Sequence, residues 1–189
     1  MLLRMGFVMH ESVIMSGFGG QGILLMGQLL CYAGMQEGLN VTWMPSYGPE
    51  MRGGTANCTV MLSSERIGSP VTQHPGSLVA MNKASLEKFE SAIQTGGFLV
   101  INSSLVDSDS RRSDLMVIRV PANEIAEEAG SLQVTNMAAL GAYIGARGVV
   151  PLEAVKAALR RLIPEHRKEL LAVNEEALRR GAAAGQRKK

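Results

Sequence analysis

At 189 residues with 46% apolar side chains, the chain has enough material for one α/β domain, or one such domain with a small helical appendage. A formal net charge of +2 provides no basic face for nucleic acid or an anionic membrane. The two cysteines, Cys31 and Cys58, lack C-x-x-C spacing and paired histidines, which argues against a metal or cluster held by this chain alone.

Residues 1–10 are apolar and carry Arg4, but they are too short to span a membrane and no small-residue cleavage site follows. They read as a loose N-terminal extension. Val13-Ile14-Met15 is a short, wholly apolar run of the kind found in a strand covered on both faces. Glycines follow, then a helical stretch of about four turns ending near Glu37, with Gly38 as its C-terminal cap. Val41 to Met44 form the second predicted strand, stopped by Pro45. A third, residues 55–62, places Ala56, Cys58, Val60 and Leu62 on one face. With no helix between it and the second strand, it is expected to run antiparallel to that strand or to cross to an edge. Further strands are predicted at 77–81, 97–101 and 115–120, with helical turns at 83–89 and 123–128.

From Asn136 onward the apolar period becomes helical. Met137, Leu140, Tyr143 and Ile144 mark one helix, residues 149–163 a second, and Pro164 opens a third that runs to about Arg180. Arg179, Arg180, Arg187, Lys188 and Lys189 surround a Gly/Ala stretch and read as a frayed, solvated tail. The expected organisation is an N-terminal extension (1–10), a single α/β domain (11–182) and a flexible basic tail (183–189). The fold class is α/β: a Rossmann-like three-layer domain with a mixed, largely parallel sheet and a C-terminal helical segment. Two buried free thiols fit a reducing compartment, so a soluble, cytoplasmic protein is expected.

Gly17-Phe18-Gly19-Gly20-Gln21-Gly22 joins the first strand to the first helix. Glycines there allow a sharp turn and close approach by a ligand, and a helix start at residues 20–22 adds its positive dipole end. The loop therefore suits an anion such as a phosphate. Read as G-x-G-x-x-G, it lacks the acid that a nicotinamide site needs at the end of the second strand, where Pro45 and Ser46 stand. It also lacks the Lys-Ser or Lys-Thr of a Walker site. The second unusual loop is Ser46-Tyr47-Gly48-Pro49-Glu50-Met51-Arg52-Gly53-Gly54, where Arg52 beside two glycines can present a planar fork to a carboxylate or phosphate. Asn82, Asn102, Ser103 and Ser104 terminate other strands and face one crevice if those strands are parallel. Singly, each is better explained as a helix cap or turn residue. No nucleophile–base pair, carboxylate dyad or metal cluster emerges, so no catalytic residue is expected in this chain. Its composition suits a binding and assembly subunit.

The two loops together resemble the gamma subunit, or gamma domain, of 2-oxoacid:ferredoxin (acceptor) oxidoreductases. The likeness covers residues 12–174. It also includes Thr55-Ala56-Asn57-Cys58-Thr59-Val60, Ile67-Gly68-Ser69-Pro70, Ala80-Met81-Asn82 and Leu86-Glu87-Lys88-Phe89. The second loop looks more like the 2-oxoglutarate or branched-chain 2-oxoacid enzymes than the indolepyruvate type. The resemblance implies a share in an anaerobic complex that decarboxylates a 2-oxoacid on thiamine diphosphate with Mg2+. Electrons then pass to 4Fe-4S clusters and ferredoxin, and the acyl group goes to coenzyme A. Those cofactors would be held by partner alpha and beta subunits, with a ferredoxin-like delta subunit in some complexes. The gamma chain would contact coenzyme A through the 17–22 loop, while the 46–54 loop and Asn82 form a substrate or interface site, the loop facing the catalytic subunits. The resemblance leaves open a 2-oxoisovalerate- or pyruvate-specific member of the same family. The residues alone also leave open a free-standing nucleotide-binding regulatory domain, or a purely structural subunit.

Overall fold

The computed structural model describes residues 8–46 and 55–186. Its centre is a six-stranded sheet built from β1 (His10–Phe18), β2 (Asn40–Ser46), β3 (Thr55–Ser63), β4 (Ser77–Ala80), β5 (Phe98–Asn102) and β6 (Met116–Val120), in the order β2-β3-β1-β4-β5-β6. β1, β4, β5 and β6 are parallel, and β3 pairs antiparallel with both β1 and β2. The mixed, largely parallel sheet is thus as expected. The third strand takes the antiparallel alternative, and it lies inside the sheet between β1 and β2, not at an edge.

The helices are α1 (Ile23–Gln36), α2 (Lys83–Phe89), α3 (Ala122–Ala129), α4 (Thr135–Arg147), α5 (Leu152–Leu162) and α6 (Leu171–Gly185). One face of the sheet is covered by α1 and α3 to α6 over a core that includes Met15, Val60, Val100, Leu140 and Leu178. The opposite face carries a smaller cluster, Ile14, Leu78, Leu86, Ile93, Leu99, Ile101 and Val106, under α2 and the segment after β5. Alternation places Ala56, Cys58, Val60 and Leu62 of β3 on the larger core, as its sequence pattern predicts. Gly38 closes α1 with φ 78°, its amide donating to the Met35 carbonyl.

Three boundaries differ from the sequence reading. β1 starts at His10, and the Ser64 amide donates to the Met9 carbonyl (2.9 Å), so the sheet already holds part of the expected extension. The helix after Pro164 opens as a 3-10 segment, Glu165–Leu170, the tighter form common at helix N-termini. α6 then runs through Gly185, past both the expected end at Arg180 and the expected start of the tail at 183. Its Gly181 and Gly185 are buried against α4, and Arg179 and Arg180 are paired with Glu176. Composition alone suggested fraying, whereas the glycines are small for packing. Residues 187–189 lie outside the described residues.

At the amino ends of the strands a polar lock joins the sheet to α4. Glu11 is 4% exposed; one carboxylate oxygen accepts from Ser77 Oγ (2.6 Å) and the other pairs with Arg147 (2.6 Å). Tyr143 is fully buried beside them, and burial pushes its phenol up, with the Glu11 charge adding to the shift.

Cys31 and Cys58 are free and buried, and burial pushes both thiols up to about 12 from 9.0. Between those values the unfolded chain ionises and the folded one does not, so the unfolded state binds fewer protons and stability falls as pH rises. Thermal melts will therefore show Tm decreasing above about pH 9, less steeply in the C31A/C58A double variant. A thiol reagent at about pH 8 will label neither cysteine until denaturant is added.

Candidate functional site

The carboxyl ends of β1, β4, β5 and β6 share one edge of the sheet, where open α/β sheets bind ligands. The glycine loop leaves β1 at this edge. Gly17 has no room for a side chain: a Cβ would meet Gln21 Oε1 at 2.6 Å and Met81 Cβ at 2.9 Å. Gly20 (φ 92°) and Gly22 (φ 71°) hold left-handed backbone that other residues adopt only with strain. Gly20 faces open space, while a Cβ on Gly22 would drive into the Asn136 amide. α1 begins at Ile23 with Gly22 as its N-cap and no side-chain cap, so the helix start falls just after the expected residues 20–22.

Not every loop amide is available to a ligand. Gln21 folds its side chain back, and the Phe18 N–H donates to its Oε1 (2.7 Å) while the Gln21 N–H donates to the Phe18 carbonyl (3.2 Å). The first intrahelical bond runs from Met26 N–H to the Gly22 carbonyl (3.1 Å). This leaves the amides of Ile23, Leu24 and Leu25, at the positive end of the helix dipole, without an intrahelical acceptor. Phe18 stands 44% exposed beside them.

The second expected loop is anchored at the same edge. Its flanking residues are Ser46, the exposed last residue of β2, and Thr55, which sits opposite Phe18 in the β1–β3 register. Tyr47, Gly48, Pro49, Glu50, Met51, Arg52, Gly53 and Gly54 lie outside the described residues. The shared register brings the two loops to one end of one strand pair.

Asn82 follows β4 at this edge and is 2% exposed. Its Oδ1 accepts from Ser85 N–H (2.8 Å), capping α2, while its Nδ2 has no partner among the described residues. A buried, unpaired amide donor costs about 1–3 kcal/mol, so it calls for an acceptor from outside this set. Asn102 is committed elsewhere: its Oδ1 accepts from Ala122 N–H (3.2 Å) and Ser104 N–H (3.3 Å), and its Nδ2 donates to Asn123 (3.1 Å). Ser104 bonds Glu124 and holds that carboxyl below its ordinary range. The Ser103 amide donates to the Val120 carbonyl (2.8 Å). Asn102 and Ser104 thus fasten the end of β5 to α3, the capping and turn roles the sequence favoured, while the Ser103 backbone ties β5 to β6.

Asn136, in the first turn of α4, was missed by the sequence reading. Its Nδ2 donates to the Gly22 carbonyl (3.2 Å) from 114 positions away, a pairing with no local signal. Beyond it, beside the first turn of α1, lies a cavity of about 130 Å³ lined by Leu25, Val134, Asn136, Ile163, Arg167 and Asn174 among others. β3 stands between β1 and β2, which moves the end of β2 away from the place where a dinucleotide's ribose acid belongs. Among the described residues, no cluster of His, Cys, Asp or Glu is placed to hold a metal ion, and no helix is long and apolar enough to cross a membrane.

The family model for pyruvate ferredoxin/flavodoxin oxidoreductase matches residues 12–184. Ketoisovalerate oxidoreductase subunit VorA of Methanothermobacter marburgensis is 43% identical over 75% of this chain, which spans 29% of that relative's length. The 2-oxoglutarate synthase subunit KorC of the same organism is 34% identical over 82% of this chain and 88% of its own. Two solved structures share the fold. The gamma subunit of a keto/oxoacid ferredoxin oxidoreductase from Geobacter sulfurreducens has a TM-score of 0.79 at 26% identity, covering 93% of this chain and 98% of its own. The 2-oxoglutarate:ferredoxin oxidoreductase of Magnetococcus marinus, with 2-oxoglutarate, coenzyme A and succinyl-CoA bound, has a TM-score of 0.85 at 26% identity, covering 94% of this chain and 31% of its own. With a family match across most of its length and a fold shared with a solved gamma subunit, this chain belongs to the pyruvate ferredoxin/flavodoxin oxidoreductase family.

Proposed function

We propose that this chain is the gamma component of a 2-oxoacid:ferredoxin oxidoreductase that converts 2-oxoglutarate, coenzyme A and oxidised ferredoxin to succinyl-CoA, CO2 and reduced ferredoxin. The observation that carries the reading is the glycine loop at the carboxyl end of β1, with the Ile23–Leu25 amides at its helix start, in a fold shared with an enzyme solved with coenzyme A bound. Phosphate oxygens on those amides meet a matched dipole. The unpaired Asn82 Nδ2 supplies a further donor toward coenzyme A or a partner subunit.

The chain's own work is binding and orientation. Thiamine diphosphate with Mg2+ would supply the carbanion chemistry of decarboxylation, and 4Fe-4S clusters the one-electron path; both belong to alpha and beta partners, with a ferredoxin-like delta subunit where present. The 46–54 loop, anchored beside the glycine loop, would face those subunits, with Arg52 its most versatile contact. A cytoplasmic setting fits two buried thiols and a ferredoxin acceptor. The 43% identity to a ketoisovalerate oxidoreductase subunit favours 2-oxoisovalerate as the second substrate candidate.

Affinity purification of the tagged chain from its host, followed by anaerobic viologen reduction with each 2-oxoacid, tests this reading. Coenzyme A-dependent activity with 2-oxoglutarate and co-purified thiamine- and cluster-bearing chains are expected. Within that complex, Gly20→Val strains left-handed backbone and sets a side chain over the loop. It will raise the KM for coenzyme A about ten-fold while leaving the 2-oxoacid KM unchanged. An unaltered coenzyme A KM in the assembled variant removes the loop from the coenzyme A site.

A further inference from the structure

We propose that Asn136 is a positioning residue for the glycine loop, fixing the aim of the first helix amide through the peptide plane that precedes it. This rests on the loop binding coenzyme A, as proposed above. The Gly22 carbonyl accepts from two directions, Met26 N–H at 3.1 Å within α1 and Asn136 Nδ2 at 3.2 Å from α4. A carbonyl held by two donors cannot rotate. In a planar trans peptide the C=O and the following N–H point in opposite directions, so clamping the Gly22 oxygen fixes the Ile23 N–H as well. That N–H is one of the amides α1 leaves free.

The donor side of the clamp is buried. Asn136 is 5% exposed, and its Oδ1 is occupied by the Met137 amide (3.0 Å), which orients Nδ2 toward Gly22. Gly22 must be glycine both for its φ of 71° and because any Cβ would strike the Asn136 amide, so the two positions interlock. Neither half of α1 nor the loop supplies this bond, and α4 itself is seated on α6. The side chain thus ties the loop to the closely packed α4–α6 pair. In this role it acts through the loop backbone.

Complexes carrying Asn136→Ala and Asn136→Asp chains, compared with wild type and Gly20→Val, test the assignment. Asp keeps the size but loses the donor and turns an oxygen toward the Gly22 carbonyl. Both Asn136 variants are expected to assemble and to raise the KM for coenzyme A about five-fold or more, Asp more than Ala, with the 2-oxoacid KM unchanged. If Gly20→Val raises that KM and the Asn136 variants leave it at the wild-type value, the positioning role is overturned while the loop assignment stands. If none of the three raises it, the loop assignment fails and the proposal falls with it. Loss of assembly in both Asn136 variants assigns the residue to the scaffold and equally overturns the proposal.

Discussion

Gly141→Val will shift the denaturant midpoint of unfolding far below that of wild type. α4 and α6 touch backbone to backbone along Gly141 and Gly145 of one helix and Gly181 and Gly185 of the other. A Cβ on Gly141 would lie less than 3.0 Å from the Leu178 carbonyl oxygen, and one on Gly181 equally close to the Ala138 carbonyl oxygen. The pairs Ala138–Gly181 and Ala142–Gly185 step together by four residues, so the helices run the same way with small residues facing at every turn. Overpacking against side chains costs about 1–3 kcal/mol, and here the obstruction is main chain that cannot rotate away. A loss of about 4 kcal/mol or more is expected, against a total stability of about 5–15 kcal/mol. Gly148→Ala is the control: at φ 64° with open space around it, it strains only its own backbone and should cost about 1 kcal/mol. Denaturant titration by circular dichroism distinguishes the two. Equal stability of Gly141→Val and wild type would mean that the helices are not in contact.

Glu11→Ala will lower Tm by roughly 6–12 °C, a loss of about 3 kcal/mol. The carboxylate serves two partners at once, Ser77 Oγ and Arg147, from a position only 4% exposed. Removing it strands a buried hydroxyl and a guanidinium that is about one third exposed. Water can reach part of Arg147, which keeps the loss at the lower end of what breaking a buried pair costs. Glu11→Gln retains an acceptor for Ser77 and should lose less than half as much. A melt in which both variants match wild type would show that the lock contributes nothing to stability.

Both features bear on what could be read before the structure. The strands and the glycine loop were legible because their signals are local: apolar runs, turn residues and a helix period within a dozen positions. The anchoring of the 46–54 loop beside the 17–22 loop followed only once β3 was seen to pair with β1, since antiparallel pairing with β2 is compatible with either an edge or an interior place. The glycine spacing in α4 and α6 was visible but ambiguous. Gly181 to Gly185 has the composition of a loose tail, and only a partner helix with matching glycines some 40 positions earlier makes it a packing surface. Asn136 was illegible for a similar reason, its partner being the carbonyl of a distant glycine. Gln21 belongs to the loop expected to meet the ligand, and its side chain accepts from the Phe18 amide, which narrows the amides left for binding.

The place of β1 in the sheet also governs the order in which the chain can acquire its structure. It is the first strand made, yet both its neighbours come much later: Val13 lies opposite Val60 on one side and Ser77 on the other. One side of β1 waits for the chain to reach Ser63 and the other for it to reach Ala80, and each pairing closes a long loop whose entropy opposes it. The β2–β3 hairpin, by contrast, needs only a short connection. The nascent chain would therefore hold an apolar, unpaired strand followed by a hairpin able to wait for it, so the glycine loop at the end of β1 takes shape late, when the antiparallel strand and β4 close on either side.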